Sequence, residues 1–320
     1  MNPDKGYIAY IVNPKSGAGG GRRMVDRFRD YLNSKGFEVR MSFTDSLEHA
    51  CEIATKAAVD YQCAMVVAAG GDGTIREAAH GLEGSDKLLM IIPCGTENLL
   101  ANELGFDKKT ETLIKAFEAG CLHDMDLGSA NGRCFTSIAG IGFDGEIVKR
   151  VSDRRQGHIN YLHYVWPIFQ TFWRHKFPRL RVVIDGTEIF DGRGMAFVGN
   201  ISRYALGLGI LYNADFGDGL LDVCIYKCRS RLHLIKHSLM TIFKFHTDSR
   251  DVIYRRGKNI EISSTSPQVR TEIDGDPGPD LPMKIEVIPR AVKVIIPPKA
   301  RPAGMRKRFL RMLVWDSGNG

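Results

Sequence analysis

Residues 66–82 read VVAAGGDGTIREAAHGL. The apolar run from Ala64 to Ala69 is continuous, as expected of a strand covered on both faces. It stops at Gly70-Gly71-Asp72-Gly73-Thr74, and helical spacing follows from Ile75 to Leu82. Strand, glycine turn and helix form the repeating unit of a parallel α/β sheet, whose ligands bind where strands end and helices begin. Glycine lets the main chain approach a ligand closely, and N–H groups at a helix start meet phosphate oxygens. A carboxylate among three glycines repels bare phosphate. It can instead hold Mg²⁺, directly or through water, while the metal neutralises the phosphates. Taken alone, Asp72 also reads as a helix cap in a tight turn.

The same pattern extends outward from this stretch. Tyr7 to Val12 is a short apolar run ending at Asn13-Pro14. Residues 22–32 carry Val25, Phe28 and Leu32 on one helical stripe. Phe37 to Phe43 alternates like a strand, Leu47 to Ala58 is helical, and Leu88 to Ile92 is a buried strand closed by Pro93. Two more strand ends are rich in turn residues. One is Asn13-Pro14-Lys15-Ser16-Gly17 with Ala18-Gly19-Gly20-Gly21, and the other is Pro93-Cys94-Gly95-Thr96-Glu97-Asn98. Three such turns on one sheet edge make a polyphosphate cradle, to which Ser16, Thr74 and Thr96 add hydroxyls. Neither glycine cluster contains Gly-Lys-Ser/Thr or G-x-G-x-x-G, which excludes a Walker loop and a dinucleotide fingerprint.

The character changes near residue 126. Short strand candidates follow at Cys134–Ile138, Leu180–Ile184, Met195–Val198, Leu221–Tyr226, Ile260–Ser263, Met283–Ile288 and Val292–Ile296, with one helical interruption at about 153–176. The expected domains are an α/β unit over 1–126, a β-rich unit over 127–300 whose last strand returns to the first, and a basic amphipathic tail over 301–320. Asp274-Gly275-Asp276, after the strand-like Val269 to Ile273, offers two carboxylates; a plain surface turn is the competing reading. His233 and His237 are read as a solvated helix face.

The chain has 320 residues, 43% apolar and 25% charged, with a formal charge of +7. That balance suits an anionic membrane surface or a phosphate-rich substrate. Nucleic acid is not expected, because no recognition motif is present. Seven scattered cysteines without a C-x-x-C pair read as reduced, mostly buried thiols. The opening residues show no signal-peptide pattern, and the expectation is a cytoplasmic protein.

These motifs, in this order, resemble the diacylglycerol kinase catalytic-domain family, which includes bacterial soluble lipid kinases, sphingosine kinases and ceramide kinases. Asn13-Pro14-x-Ser16-Gly17, Gly70 to Thr74 and Gly95-Thr96-x-Asn98-x-x-Ala101 are similar to its nucleotide motifs. Thr44 sits where such kinases have a nucleotide-contacting threonine. Phe135 through Gly140-Ile141-Gly142-Phe143-Asp144 resembles the family's F-x-x-x-x-G-x-G-F-D. Asp218-Gly219-Leu220-Leu221-Asp222-Val223 and Asp274-Gly275-Asp276 are similar to its D-G-L-L-D-V and D-G-E segments.

The resemblance implies an N-terminal α/β domain of the NAD-kinase and phosphofructokinase kind, a C-terminal β-sandwich, and an active site in the cleft between them. It implies transfer of the ATP γ-phosphoryl group to a lipid hydroxyl, with ATP and Mg²⁺ as cofactors. The nucleotide-contacting set is then Asn13, Pro14, Lys15, Ser16, Gly17, Thr44, Gly70, Gly71, Asp72, Gly73, Thr74, Ile75, Arg76, Thr96 and Asn98. A Mg²⁺ held by the Asp218 side chain and the Leu221 and Val223 carbonyls is implied as well. The base falls at Asp276, where the family carries glutamate, with Asp274 as its alternative and Asp72 organising the metal–nucleotide complex. The shorter Asp276 leaves a catalytically weak nucleotide- or lipid-sensing protein as a second reading, and an NAD kinase as a third. The expected partner is a lipid at an anionic membrane surface, reached at the inner membrane face. The aromatic, basic segment 150–179 and the tail stripe of Met305, Phe309, Met312 and Leu313 are the candidate contacts. A homodimer is left open.

Overall fold

The structure, a computed structural model, describes residues 6–16, 20–153 and 162–298. It divides into two compact units. One comprises residues up to Met125 and from Arg290 onward, and the other runs from Asp126 to Pro289.

In the first unit, strands β1 (Tyr7–Val12), β2 (Glu38–Phe43), β3 (Cys63–Gly70) and β4 (Leu88–Pro93) alternate with helices α1 (Gly20–Ser34), α2 (Leu47–Val59) and α3 (Asp72–Gly81). The short α4 (Leu99–Glu103) and α5 (Thr110–Ala119) follow, and β5 (Cys121–Ala130) starts in this unit and continues into the second from Asp126. The strands are parallel, in the order β2-β1-β3-β4. β1 and β4 are buried along their whole length, which explains their unbroken apolar runs. α1 buries Met24, Val25, Phe28 and Leu32, the stripe that its spacing predicts. α2 packs a small-residue face, Ala50, Ala54 and Ala57, toward α3. Gly81 makes that approach possible, since a Cβ there would lie 2.5 Å from the Cys51 carbonyl oxygen.

The second unit holds β6 (Arg133–Phe135), β7 (Ile138–Ile141), α6 (Phe143–Ser152), α7 (Leu162–Arg174), β8 (Arg179–Ile184), β9 (Thr187–Gly199) and β10 (Leu221–Lys227). α8 (Arg231–Ile242), β11 (Val252–Gly257), β12 (Asn259–Ser264), β13 (Thr271–Ile273), β14 (Asp276–Pro277) and β15 (Met283–Ile296) complete it. β9 serves two sheets. Its first half pairs with β8, and its second half pairs with β7 and β10. One core fills the space between the sheets: Leu180, Val182, Ile260, Ile262 and Ile285 face Ala139, Val198, Leu221, Val223 and Ile225. β10 alternates, so its other face sends Cys224 and Tyr226 into a second core with Phe197, Ile210 and Leu234 of α8. This is a β-sandwich with helices on one outer face.

Two expectations change. Met283–Ile288 and Val292–Ile296 are one strand, β15, bent by Arg290 at φ +52°. Its first half pairs with β12, and its end pairs in parallel with β4 through Lys293 and Val294. The run Cys134–Ile138 is two strands, because Thr136 and Ser137 leave the ladder to bind Asp274. All seven cysteines are free, six of them buried and Cys51 partly so. The amphipathic tail 301–320 lies outside the described residues.

Gly81→Ala should lower stability by about 1–3 kcal/mol, because the new methyl meets α2 main chain that cannot yield without moving the helix. A lower urea midpoint at an unchanged slope would report it.

Candidate active site

The three glycine-rich turns of the first unit come together. β3 ends at Gly70, Gly71 is the N-cap, and α3 begins at Asp72, three residues before the apolar periodicity starts. The first intrahelical bond runs from Ile75 N–H to the Gly71 carbonyl, so the N–H groups of Asp72, Gly73 and Thr74 precede it. A Cβ on Gly95 would lie 2.7 Å from Gly71 Cα, and one on Gly71 would lie 4.0 Å from Ser16 Oγ. Asn13 Nδ2 donates to Thr74 Oγ1 at 3.0 Å, joining the β1 turn to the helix start. Thr44 N–H donates to the Val12 carbonyl at 2.9 Å, and the Thr44 side chain is buried beside this turn.

Several of the expected contact residues also hold the protein's own turns and helices. Asp72 Oδ1 accepts from Leu100 N–H at 3.3 Å and so holds the start of α4. Asn98 is buried in a left-handed conformation; its Oδ1 accepts from Gly95 N–H at 2.7 Å and its Nδ2 donates to the Gly95 carbonyl at 2.8 Å. It therefore closes the third turn. Ile75 is fully buried, and Arg76 is buried with its guanidinium on Glu77 at 2.9 Å. Both side chains are buried on α3. Pro14, Lys15 and Thr96 are exposed, and Gly17 lies outside the described residues.

In the second unit, Asp274 and Gly275 are the two central residues of a hairpin between β13 and β14, with φ of +48° and +80°. Those angles explain the Asp-Gly pair. The Asp274 carboxylate accepts from the N–H groups of Thr136, Ser137 and Ile138 at 2.9–3.0 Å and from Thr136 Oγ1 at 3.1 Å. Committed to these donors, it pins the β6–β7 turn and is poorly placed to take a proton from a substrate. Asp276 begins β14 opposite Ile273 and is half-buried.

Asp218 Oδ1 accepts from Leu220 N–H at 3.0 Å, and Oδ2 pairs with Arg256 at 2.9 Å. Leu221 and Val223 lie within β10. Val223 is flanked by Val198 and Arg255, so its main chain belongs to the ladder on either side. Fully buried Asp126, which the motifs did not single out, accepts from Gly219 N–H at 2.6 Å. Asp222, beside this loop, is pushed up to about 6 by burial, and Tyr254 donates to it at 2.5 Å. The donors of this loop are oxygens, which suits a hard divalent cation, but such an ion would compete with Arg256 for Asp218.

The sequence reading also missed a buried acid pair. Asp144 on α6 and Glu272 on β13 face each other over Gly140, where a Cβ would lie 2.5 Å from Asp144 Oδ2 and 2.7 Å from Glu272 Oε1. Tyr204 donates to Asp144 Oδ1, and Glu272 Oε2 accepts from Gly275 N–H at 2.8 Å. Burial raises both carboxyls, and the Asp144 charge raises Glu272 further. A proton shared between the facing oxygens satisfies both. His237, read as solvated, is buried against Tyr226 and bonds the Lys227 carbonyl; burial lowers its pKa. Cys51, Glu77 and His80 place donor atoms within 4.8 Å of one another, although Glu77 is already engaged by Arg76.

Residues 8–130 match the model of the diacylglycerol kinase catalytic domain, and residues 137–296 match that of the YegS C-terminal NAD kinase beta sandwich-like domain. A diacylglycerol kinase of Mycobacterium tuberculosis is 31% identical over 300 residues, covering 91% of this chain and 96% of that protein. The chain belongs to the diacylglycerol kinase family. A diacylglycerol kinase of Bacillus subtilis is 26% identical over 293 residues, covering 90% of this chain and 95% of that protein. The crystal structure of a diacylglycerol kinase from Bacillus anthracis shares the fold, with a TM-score of 0.69 at 22% identity over 92% of this chain and 98% of that one. As a family member the chain is a phosphotransferase of the lipid-kinase kind.

The acid pair gives stability a definite pH dependence. Glu272 is held above its ordinary value near 4.5, so the native state keeps a proton that the unfolded chain releases. That stabilisation is whole at lower pH and is lost as pH rises through the native value. Glu272→Gln keeps the neutral form throughout. Its stability, from urea unfolding, should fall less than that of the natural chain between about pH 5 and pH 8.

Proposed function

We propose that this enzyme transfers the γ-phosphoryl group of ATP to the hydroxyl of a lipid such as diacylglycerol or a sphingoid base. The observation that carries the reading is the meeting of Ser16, Gly71 and Gly95, where three strand-end turns converge and a side chain on Gly95 would crowd the Gly71 turn. The main-chain N–H groups of Asp72, Gly73 and Thr74 lie ahead of the first helical bond, at the helix start, where N–H groups suit phosphate oxygens. The lack of side chains at Gly71 and Gly95 fits a bound triphosphate, and Asp72 supplies a carboxylate at its edge. Mg²⁺, when bound, would neutralise the triphosphate charge.

Three carboxylates near the β13–β14 hairpin have structural roles. Asp274 is committed to the β6–β7 turn, and Asp144 and Glu272 are buried on each other. Asp276, half-buried at the start of β14, stands where the family's D-G-E segment carries its second acid, and in our reading it takes the hydroxyl proton as the oxygen attacks. The lipid is met at an anionic membrane surface, at the inner face of a cytoplasmic membrane. No described helix is long and apolar enough to cross a membrane.

Radiolabelled ATP incubated with an extracted lipid pool tests the reading. Asp276→Asn should lower label transfer by about a hundredfold or more, whereas Asp276→Glu should retain it. Asp72→Asn should lower it too. Undiminished transfer in both asparagine variants would remove the assignment, and label in NAD⁺ would point to a different acceptor.

A further inference from the structure

Two helices of the second unit carry apolar stripes that face outward. On α7, Trp166, Phe169 and Trp173 are exposed and in ring contact, Trp166 stacked on Phe169 and Phe169 edge-on to Trp173. On α8, Leu232, Ile235, Leu239 and Ile242 follow helical spacing on the side opposite buried Leu234, His237 and Thr241. These seven side chains are between 43% and 77% exposed. The helices are joined, because Arg231 donates to the carbonyls of Phe172 and Trp173 and its guanidinium lies 5.2 Å from the Trp173 ring centre. The two stripes therefore adjoin through Arg231, and an exposed apolar patch rimmed by polar residues marks an interaction site.

Charge selects the occupant. Residues 162–176 and 229–245 contain no aspartate or glutamate. They carry exposed Arg174, Lys176, Arg229 and Lys244, while Lys236 is paired with Asp251. A second copy docked about a two-fold axis would set these cations against themselves. Anionic lipid headgroups would neutralise them, and indole rings with flanking arginines suit the boundary between headgroups and acyl chains.

We propose that α7 and α8 form the surface by which this enzyme lies on an anionic bilayer, with Trp166, Phe169 and Trp173 and the α8 stripe inserted among the headgroups. The choice of a membrane rests on the proposed lipid-kinase reading; the patch itself does not. Vesicles of phosphatidylglycerol and phosphatidylcholine, free of any kinase substrate, keep the two separable. The full chain with Trp315→Phe retains indoles at 166 and 173 alone.

On these vesicles its emission should shift to the blue, and sedimentation should show binding at least about tenfold stronger than to phosphatidylcholine alone. Leu232→Ser with Ile235→Ser and Leu239→Ser, all outward-facing, should lower binding at least about tenfold while leaving the urea midpoint in place. Equal binding by the triple variant, or no preference for anionic vesicles, would overturn the proposal. So would a concentration-dependent dimer that the same substitutions disperse. Label transfer to lipid is measured separately, so its failure would leave the vesicle result standing.

Discussion

The first unit depends on how closely two pieces of main chain can approach. Gly71 and Gly95 pass so near that a methyl group on the second would lie 2.7 Å from the α-carbon of the first. Because neither carries a side chain, the turns after β3 and β4 sit side by side and the Ser16 turn reaches them. The remaining bonds stabilise that meeting: Asn13 to Thr74, Asp72 to Leu100, and Asn98 to both polar groups of Gly95. The surface proposed for phosphate is thus assembled mostly from backbone, and the side chains around it serve largely to hold the backbone still.

The second unit repeats the logic with a different payload. At Gly140 the missing side chain makes room for two carboxyl groups in place of a second turn. From there a line of bonds leads outward, Tyr204 to Asp144, Asp144 to Glu272 through a proton, and Glu272 to the Gly275 N–H, one residue before Asp276. Asp274 clamps the other side of the same hairpin to Thr136, Ser137 and Ile138. The acid proposed for proton transfer therefore rides on a turn fixed from two directions, by Asp274 and by Glu272.

Much of this was legible from residues 66–82 outward, because burial on both faces writes continuous apolar runs and glycine turns punctuate them. β1, β3 and β4 and the helices between them follow directly. The acid pair was not legible. Glu272 precedes the conspicuous Asp274-Gly275-Asp276 by two residues, and nothing in spacing tells that it points inward to meet Asp144, 128 positions away in sequence. The roles of Asp274 and Asn98 were hidden for the same reason. A polar residue in a turn looks alike whether it binds a ligand or its own backbone, and only the donors around it decide. α8 escaped a full reading because apolar residues occur on nearly all its sides, so periodicity could not say which stripe was buried.

The thiols carry a practical consequence. Burial pushes Cys94 up to about 11 and Cys224 and Cys228 up to about 12, so almost none of their sulfur is in the nucleophilic form. Cys51 alone of the seven is not buried. An alkylating fluorophore added to the native enzyme should therefore mark α2 first, at a position facing His80 on α3. A reporter can be attached one helix away from the three glycine-rich turns without removing a single natural cysteine.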